Sequence, residues 1–150
     1  MLTFQVERIA DIHEEAGPLL LEHWEEIAVD KDSVPLDPDW PTYFNLDSAG
    51  AVHCVTARDG GKLIGYAVYF VIPSLHYRGL LVADSDIFWL SPEHRKGLTG
   101  VRLLKFAEET LVLRGVNRIV NKVKIKHDVG AIFERMGYEP FERLYTKKVG

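Results

Sequence analysis

The chain has 150 residues, 18 Lys+Arg against 22 Asp+Glu, 47% hydrophobic residues and one cysteine. That size fits a single domain, residues 1–150, with a sizeable core, and the composition excludes a disordered or fibrous chain. No apolar run approaches a membrane span and no basic-then-apolar leader opens the sequence. Lone Cys54 cannot complete a disulfide or a cysteine metal site, which makes a reducing cytoplasm the expected setting.

The net charge of -4 is unevenly distributed. Residues 1–90 carry 5 basic and 15 acidic side chains, whereas residues 91–150 carry 13 and 7. Such a split suits an acidic portion that faces a cation and a basic portion that faces an anion; a solvated surface with a strong dipole is the plainer alternative.

Thr3 to Ile9 alternates as a short strand. From Ala10 to Ala28 the apolar positions recur at helical spacing, and Gly17-Pro18 predicts two short helices or one kinked helix. Residues Asp30 to Gly50, with Pro35, Pro38 and Pro41, read as a long loop that could serve as a substrate lid. Ala51–Arg58 and Lys62–Ile72 form a hairpin across Asp59-Gly60-Gly61. Leu80–Leu90 is a further strand, followed by a break at Ser91-Pro92-Glu93 and a helix from about Val101 to Arg114 that stops at Gly115. Val116–Ile125 reads as a strand, Val129–Met136 as a helix and Tyr138–Lys147 as a last strand. The class is α+β. A strand–helix–strand crossover makes Leu80–Leu90 and Val116–Ile125 parallel neighbours in an otherwise antiparallel sheet.

The most informative segment runs from Asp86 to Gly100 and leads directly into a helix. Its two glycines can aim backbone N–H groups at one anion, with the helix dipole, Arg95 and Lys96 adding favourable potential. A strand–helix turn whose glycines serve geometry alone is the competing reading. Pro92-Glu93-His94-Arg95-Lys96-Gly97-Leu98-Thr99-Gly100, then Leu103-Leu104 and Glu108, resembles the acetyl-CoA loop of the GNAT superfamily of N-acetyltransferases. Ala131-Ile132-Phe133-Glu134-Arg135-Met136-Gly137-Tyr138 is similar to that family's later helix and strand. More narrowly, the Leu75-His76-Tyr77 segment, the Asp-containing strand and the Arg-Lys-Gly loop resemble a group encoded by bacteriophages. In two places the sequence departs from the family pattern. Counted from Arg95, Leu98 stands where a loop glycine belongs; counted from His94, Gly97 fills that place but Thr99 stands at the end. Phe133 replaces the tyrosine that often reprotonates the coenzyme thiolate.

The resemblance implies a mixed, mostly antiparallel sheet of six to seven strands flanked by helices and splayed between two central parallel strands. It implies transfer of an acyl group, most simply acetyl from acetyl-CoA, to a primary amine on a small cationic molecule or a protein lysine. The coenzyme would contact Phe88, Trp89, Leu90, Arg95, Lys96, Gly97, Leu98, Thr99 and Gly100. Asp84 and Asp86, two apart on a strand, are expected on one face with Phe88. Asp86 is favoured as the general base, and Asp84 as the ammonium ligand or alternative base. His76, Tyr77 and Tyr66 are candidates for the missing acid.

Other features carry less. His23 and Glu26 share one-turn spacing, but a solvated helix face outweighs a metal site, and none is expected. Trp24 and Trp40 read as core or lid packing, and Cys54 as a small buried hydrophobe. Lys122, Lys124 and Lys126 form a basic stripe best read as an exposed strand face. Net acidity argues against nucleic acid, no membrane partner is indicated, and a homodimer is left open. The other reading of the whole chain is a non-catalytic acyl-CoA-binding or protein-interaction member of the same fold, with Phe133 as its main support.

Overall fold

The computed structural model describes residues 1–150. Strand β1 (Leu2–Val6) leads into α1 (Ile9–Ile27), and α2 (Trp40–Ser48) precedes the long strands β2 (Val52–Asp59), β3 (Lys62–Pro73) and β4 (Leu81–Leu90). After a 3₁₀ turn at Pro92–His94 come α3 (Thr99–Leu113), β5 (Arg118–Val120) and α4 (Gly130–Arg135). The sheet order is β1-β2-β3-β4-β5. Neighbours are antiparallel except β4 and β5, which are parallel across the α3 crossover as expected.

Strands β2 and β3 are buried along consecutive residues rather than alternate ones, because helices cover both faces of the sheet. One face packs Leu103, Ala107 and Leu111 of α3 against Val55, Ala67, Tyr69 and Ala83. The other packs Ile9, Ile12 and Ala16 of α1 against Cys54, Tyr66, Val68 and Trp89, with Tyr43 and Phe44 of α2 alongside. Each fully buried leucine contributes about 1.5–3 kcal/mol. Cys54 is a small buried hydrophobe, and burial pushes its thiol up to about 12.

Of the two readings of 10–28, the single helix holds: α1 runs through Pro18, which removes one interior hydrogen bond, and Ile9, Ile12, Ala16 and His23 stay buried along one face. Three elements differ from expectation. The expected 30–50 loop contains α2, which Asp39 caps by accepting from the Thr42 backbone N–H and hydroxyl, with Pro41 in the first turn. The strand expected at 116–125 pairs only over Arg118–Val120 before leaving the sheet, so Lys122, Lys124 and Lys126 do not form a strand face. The last strand, Tyr138–Lys147, does not form. Residues 139–147 are exposed, Pro140 has no N–H to give, and β5 is too short to template a neighbour.

The sheet therefore has five strands rather than six to seven, and β5 is an edge rather than a central strand. No helix is long and apolar enough to cross a membrane.

Candidate active site

Beyond Asp84, which pairs with Val120, strand β4 has no partner on its β5 side. The two strands separate there and leave the edge from Ser85 to Leu90 open. Asn121 turns back at the head of this gap, where its Oδ1 accepts from the Tyr69 hydroxyl at 2.7 Å. The Asn121 Nδ2 is buried with no hydrogen-bond partner. The Lys122 N–H donates to Ser85 Oγ at 2.8 Å and closes the apex.

A bulge in β4 sets the direction of the side chains. Val68 pairs with Ile87 and Tyr69 with Ser85, so Asp86 has no cross-strand partner. Bulges re-aim side chains and are over-represented next to active sites. Before this one, Leu81 and Ala83 face α3; after it, Phe88 and Leu90 do, while Ile87 and Trp89 turn to the α1 side. Asp86 joins the α1–α2 side, where the Tyr43 hydroxyl donates to its Oδ2. Asp84, opposite Phe70, faces that side too. The expected common face of Asp84, Asp86 and Phe88 therefore holds for the two aspartates, and the bulge puts Phe88 on the opposite side.

The two carboxylates are in different states. Asp84 is in an ion pair with Lys122 Nζ at 2.8 Å. Half-buried Asp86 has its carboxyl pushed above its ordinary value by loss of solvent, against the opposing hydrogen bond from Tyr43.

The loop that follows is held by its first residues. His94 bridges Ser91 Oγ at 2.8 Å and Asp59 Oδ2 at 3.1 Å. Arg95 donates from Nε to the Leu90 carbonyl at 2.7 Å and from its guanidinium to Glu26 Oε1 at 2.6 Å, and it lies over the Trp89 ring. Arg95 is thus a strut between α1 and the loop rather than a free anion ligand. Its hydrogen bond also holds the Glu26 carboxyl below its ordinary value. Lys96 is exposed and makes no ion pair.

Beyond it, the backbone N–H groups from Lys96 to Val101 donate to nothing in the protein, and α3 has no side-chain cap. Gly97 takes a φ of 78°, which lets the chain turn into the helix. This run of free N–H groups at the positive end of a 15-residue helix is suited to a phosphate group. Together with the open β4 edge, it fits the coenzyme named by the resemblance.

The remaining expected residues scatter. His76 and Tyr77 are exposed on the β3–β4 turn. They sit at the closed end of β4, a ten-residue strand of about 30 Å, and are not brought to the gap. Tyr66 is buried and its hydroxyl contacts His23 Nδ1 at 2.8 Å. His23, expected on a solvated face, is 6% exposed, and burial pushes its ring down to about 4. Phe133 is buried, edge-on to Tyr138.

Sequence reasoning missed Tyr43 and Asn121. The Asp39-Trp40-Pro41-Thr42 start signal would have placed Tyr43 on a helix; nothing in the sequence marks Asn121.

A cavity of about 350 Å³ opens beside Asp86, between α1, α2 and the segment 34–38. Trp24 and Trp40 line it, together with Tyr43, Tyr66 and Ile87.

A model of the acetyltransferase (GNAT) family matches residues 9–138. No curated protein matches by sequence. Among solved structures, the ribosomal-protein-alanine N-acetyltransferase of Brucella melitensis superposes with a TM-score of 0.74 at 20% identity over 100% of both chains. A protein described as a predicted acetyltransferase from Clostridium acetobutylicum, solved with acetyl-CoA, gives 0.70 at 14% identity over 99% of this chain and 96% of that one. An aminoglycoside acetyltransferase from an uncultured soil metagenomic sample, in complex with sisomicin, gives 0.77 at 12% over 99% and 97%. These likenesses carry the fold, and the family match spans the open β4 edge, the uncapped helix and the Asp86 bulge: the chain belongs to the acetyltransferase (GNAT) family, which transfers acetyl from acetyl-CoA to an amine nitrogen.

Proposed function

We propose that this chain acetylates a primary amine with Asp86 as the general base, acting directly or through one water. The observation that carries this reading is the carboxylate itself. It stands on a bulge where the sheet opens, half-buried, raised above its ordinary value by lost solvent and adjacent to the cavity. An alkylamine is mostly protonated near neutral pH, and a carboxylate of raised basicity helps produce the neutral nucleophile. Asp86 takes the first ammonium proton and releases it to solvent; the neutral nitrogen then bonds to the acetyl carbon, the carbon–sulfur bond breaks, and the second amine proton passes to Asp86. Phe133 has no proton for the departing thiolate, which takes one from solvent.

The free N–H groups from Lys96 to Val101, with the Lys96 ammonium, support a diphosphate site. The open edge at Phe88, Trp89 and Leu90 supports contact with the pantetheine arm. Asp84, paired with Lys122, takes an electrostatic role. Arg95 supports the site by fixing the loop. The buried Cys54 is in keeping with a reducing cytoplasm. The Leu75-His76-Tyr77 turn and the Arg95-Lys96-Gly97 loop support the narrower phage-group likeness, and a homodimer is testable by light scattering.

Asp86→Asn should cut acetyl transfer about a hundredfold or more while leaving acetyl-CoA affinity unchanged in calorimetry. Unchanged turnover removes Asp86 from the mechanism. Phe133 favours one second reading, a member that binds acyl-CoA without turning it over; wild-type binding with no transfer to any amine would establish it.

A further inference from the structure

We infer that the acceptor is a primary amine carried on an apolar, preferably aromatic, body that occupies the cavity beside Asp86. This inference rests on the acetyltransferase reading above and names the substrate class of the same site. The volume of about 350 Å³ lies at the lower end for small-molecule sites, which run from about 300 to 1,000 Å³.

The walls are mainly apolar: Ile12, Leu20, Trp24, Leu36, Trp40 and Ile87 come from α1, the 34–38 segment, α2 and β4. The polar groups in the lining are few and mostly committed. His13 uses Nδ1 on the Ala10 carbonyl at 3.0 Å, and its ring packs against Trp40 and Phe44. Tyr66 is engaged with His23, and Tyr43 with Asp86. Asp37 makes no hydrogen bond or ion pair, and no Lys or Arg lines the space.

A polyhydroxylated aminosugar or a polyamine entering this cavity would leave its hydroxyls or inner ammonium groups without partners, at the cost of lost hydration. An arylalkylamine loses little. Its ring meets Trp24, Trp40 and Leu36, and its single ammonium meets negative potential from Asp37 in the lining and from Asp86, which stands outside the lining and accepts from the lining Tyr43 hydroxyl. Tyr43 and Ile87, which line the cavity and adjoin Asp86 in space and in sequence respectively, bring the amine end to the base.

Two measurements decide the matter. Trp24 and Trp40 line the cavity, so 2-phenylethylamine added to the coenzyme-free protein should change the intrinsic tryptophan fluorescence saturably. In turnover with acetyl-CoA, 2-phenylethylamine should exceed spermidine and glucosamine in kcat/KM by about tenfold or more.

Leu36→Arg, a substitution at an exposed position on the cavity rim, should reduce both signals about tenfold while the calorimetric affinity for acetyl-CoA stays unchanged. Saturation without turnover would retain the ligand class and count against the acetyltransferase reading. Preference for spermidine or glucosamine, or no saturable fluorescence change up to millimolar 2-phenylethylamine, would overturn the ligand class and leave acetyl transfer standing.

Discussion

The Tyr43 hydroxyl of α2 donates to the Asp86 carboxylate of β4 across the sheet face that carries the cavity. Burial raises the Asp86 carboxyl, while the Tyr43 bond and the Lys122 charge lower it and Asp84 raises it. Tyr43→Phe removes one lowering contribution, so more acid-side activity should be lost. The acid limb of the kcat/KM profile should move to higher pH by about one unit, the scale of a hydrogen bond to a charged group. An unmoved limb would mean that Asp86 does not set it.

Gly100 separates coenzyme binding from folding. A Cβ there would meet Leu90 Cδ2 at 3.8 Å and Phe88 Cζ at 3.9 Å, ordinary contact distances. Gly100→Val should therefore change stability by no more than about 1 kcal/mol. It should still weaken acetyl-CoA binding about tenfold or more, since the side chain stands beside the free N–H groups. Calorimetric titration and thermal melts on the same protein check both halves.

Two buried histidines fix the acid side of the stability curve. His23 and His53 are 6% and 3% exposed, and burial, the larger cause in each, pushes both rings down to about 4 from 6.5. The unfolded chain therefore takes up protons first, and the stability these groups contribute is present above pH 6.5 and lost as pH falls towards 4. Between pH 7 and 5 the loss is about 2 kcal/mol per histidine, or roughly 8–16 °C in Tm for the pair. Asp86 works in the opposite sense, since its raised carboxyl is relieved by acid. Differential scanning calorimetry across this range should show the fall, and His23→Gln should have about half the slope.

The end of β4 depends on a missing side chain at Gly65. A Cβ there would lie 2.8 Å from both the Trp89 carbonyl and Leu90 Cδ1. Gly65→Ala must push back the segment whose Leu90 carbonyl accepts from Arg95. It should cost about 1–3 kcal/mol and weaken coenzyme binding along with stability, unlike Gly100→Val. Wild-type acetyl-CoA affinity in Gly65→Ala would separate the Arg95 strut from the loop's function.

Local chemistry made the hairpin legible at Asp59-Gly60-Gly61, and periodicity located α3 and its parallel crossover. The same signals failed where tertiary context prevailed. Three prolines between 30 and 50 obscured α2, although Asp39 and Pro41 are start signals. Gly17-Pro18 left two short helices or one kinked helix open, and packing against the sheet selects one. The bulge at Asp86 left no glycine to announce it, so strand alternation put Phe88 on the wrong side. The Arg95–Glu26 pair is invisible in the sequence because its partners lie 69 residues apart in the chain. The strand–loop–helix order around Asp86 and Gly97 was legible; the Tyr43 hydrogen bond to Asp86 depended on a contact across the fold.

The early parting of β4 and β5 also affects hydrogen exchange. Interior strands are protected by a neighbour on each side, yet from Ser85 to Leu90 this one has none on its β5 side. Outward amides on that stretch should exchange readily in the free protein and slow when the coenzyme's arm lies along them, with the bound molecule standing in for the missing strand. The α3-side core at Val55 and Ala67 should keep the same protection throughout, because its ladder is complete in both states.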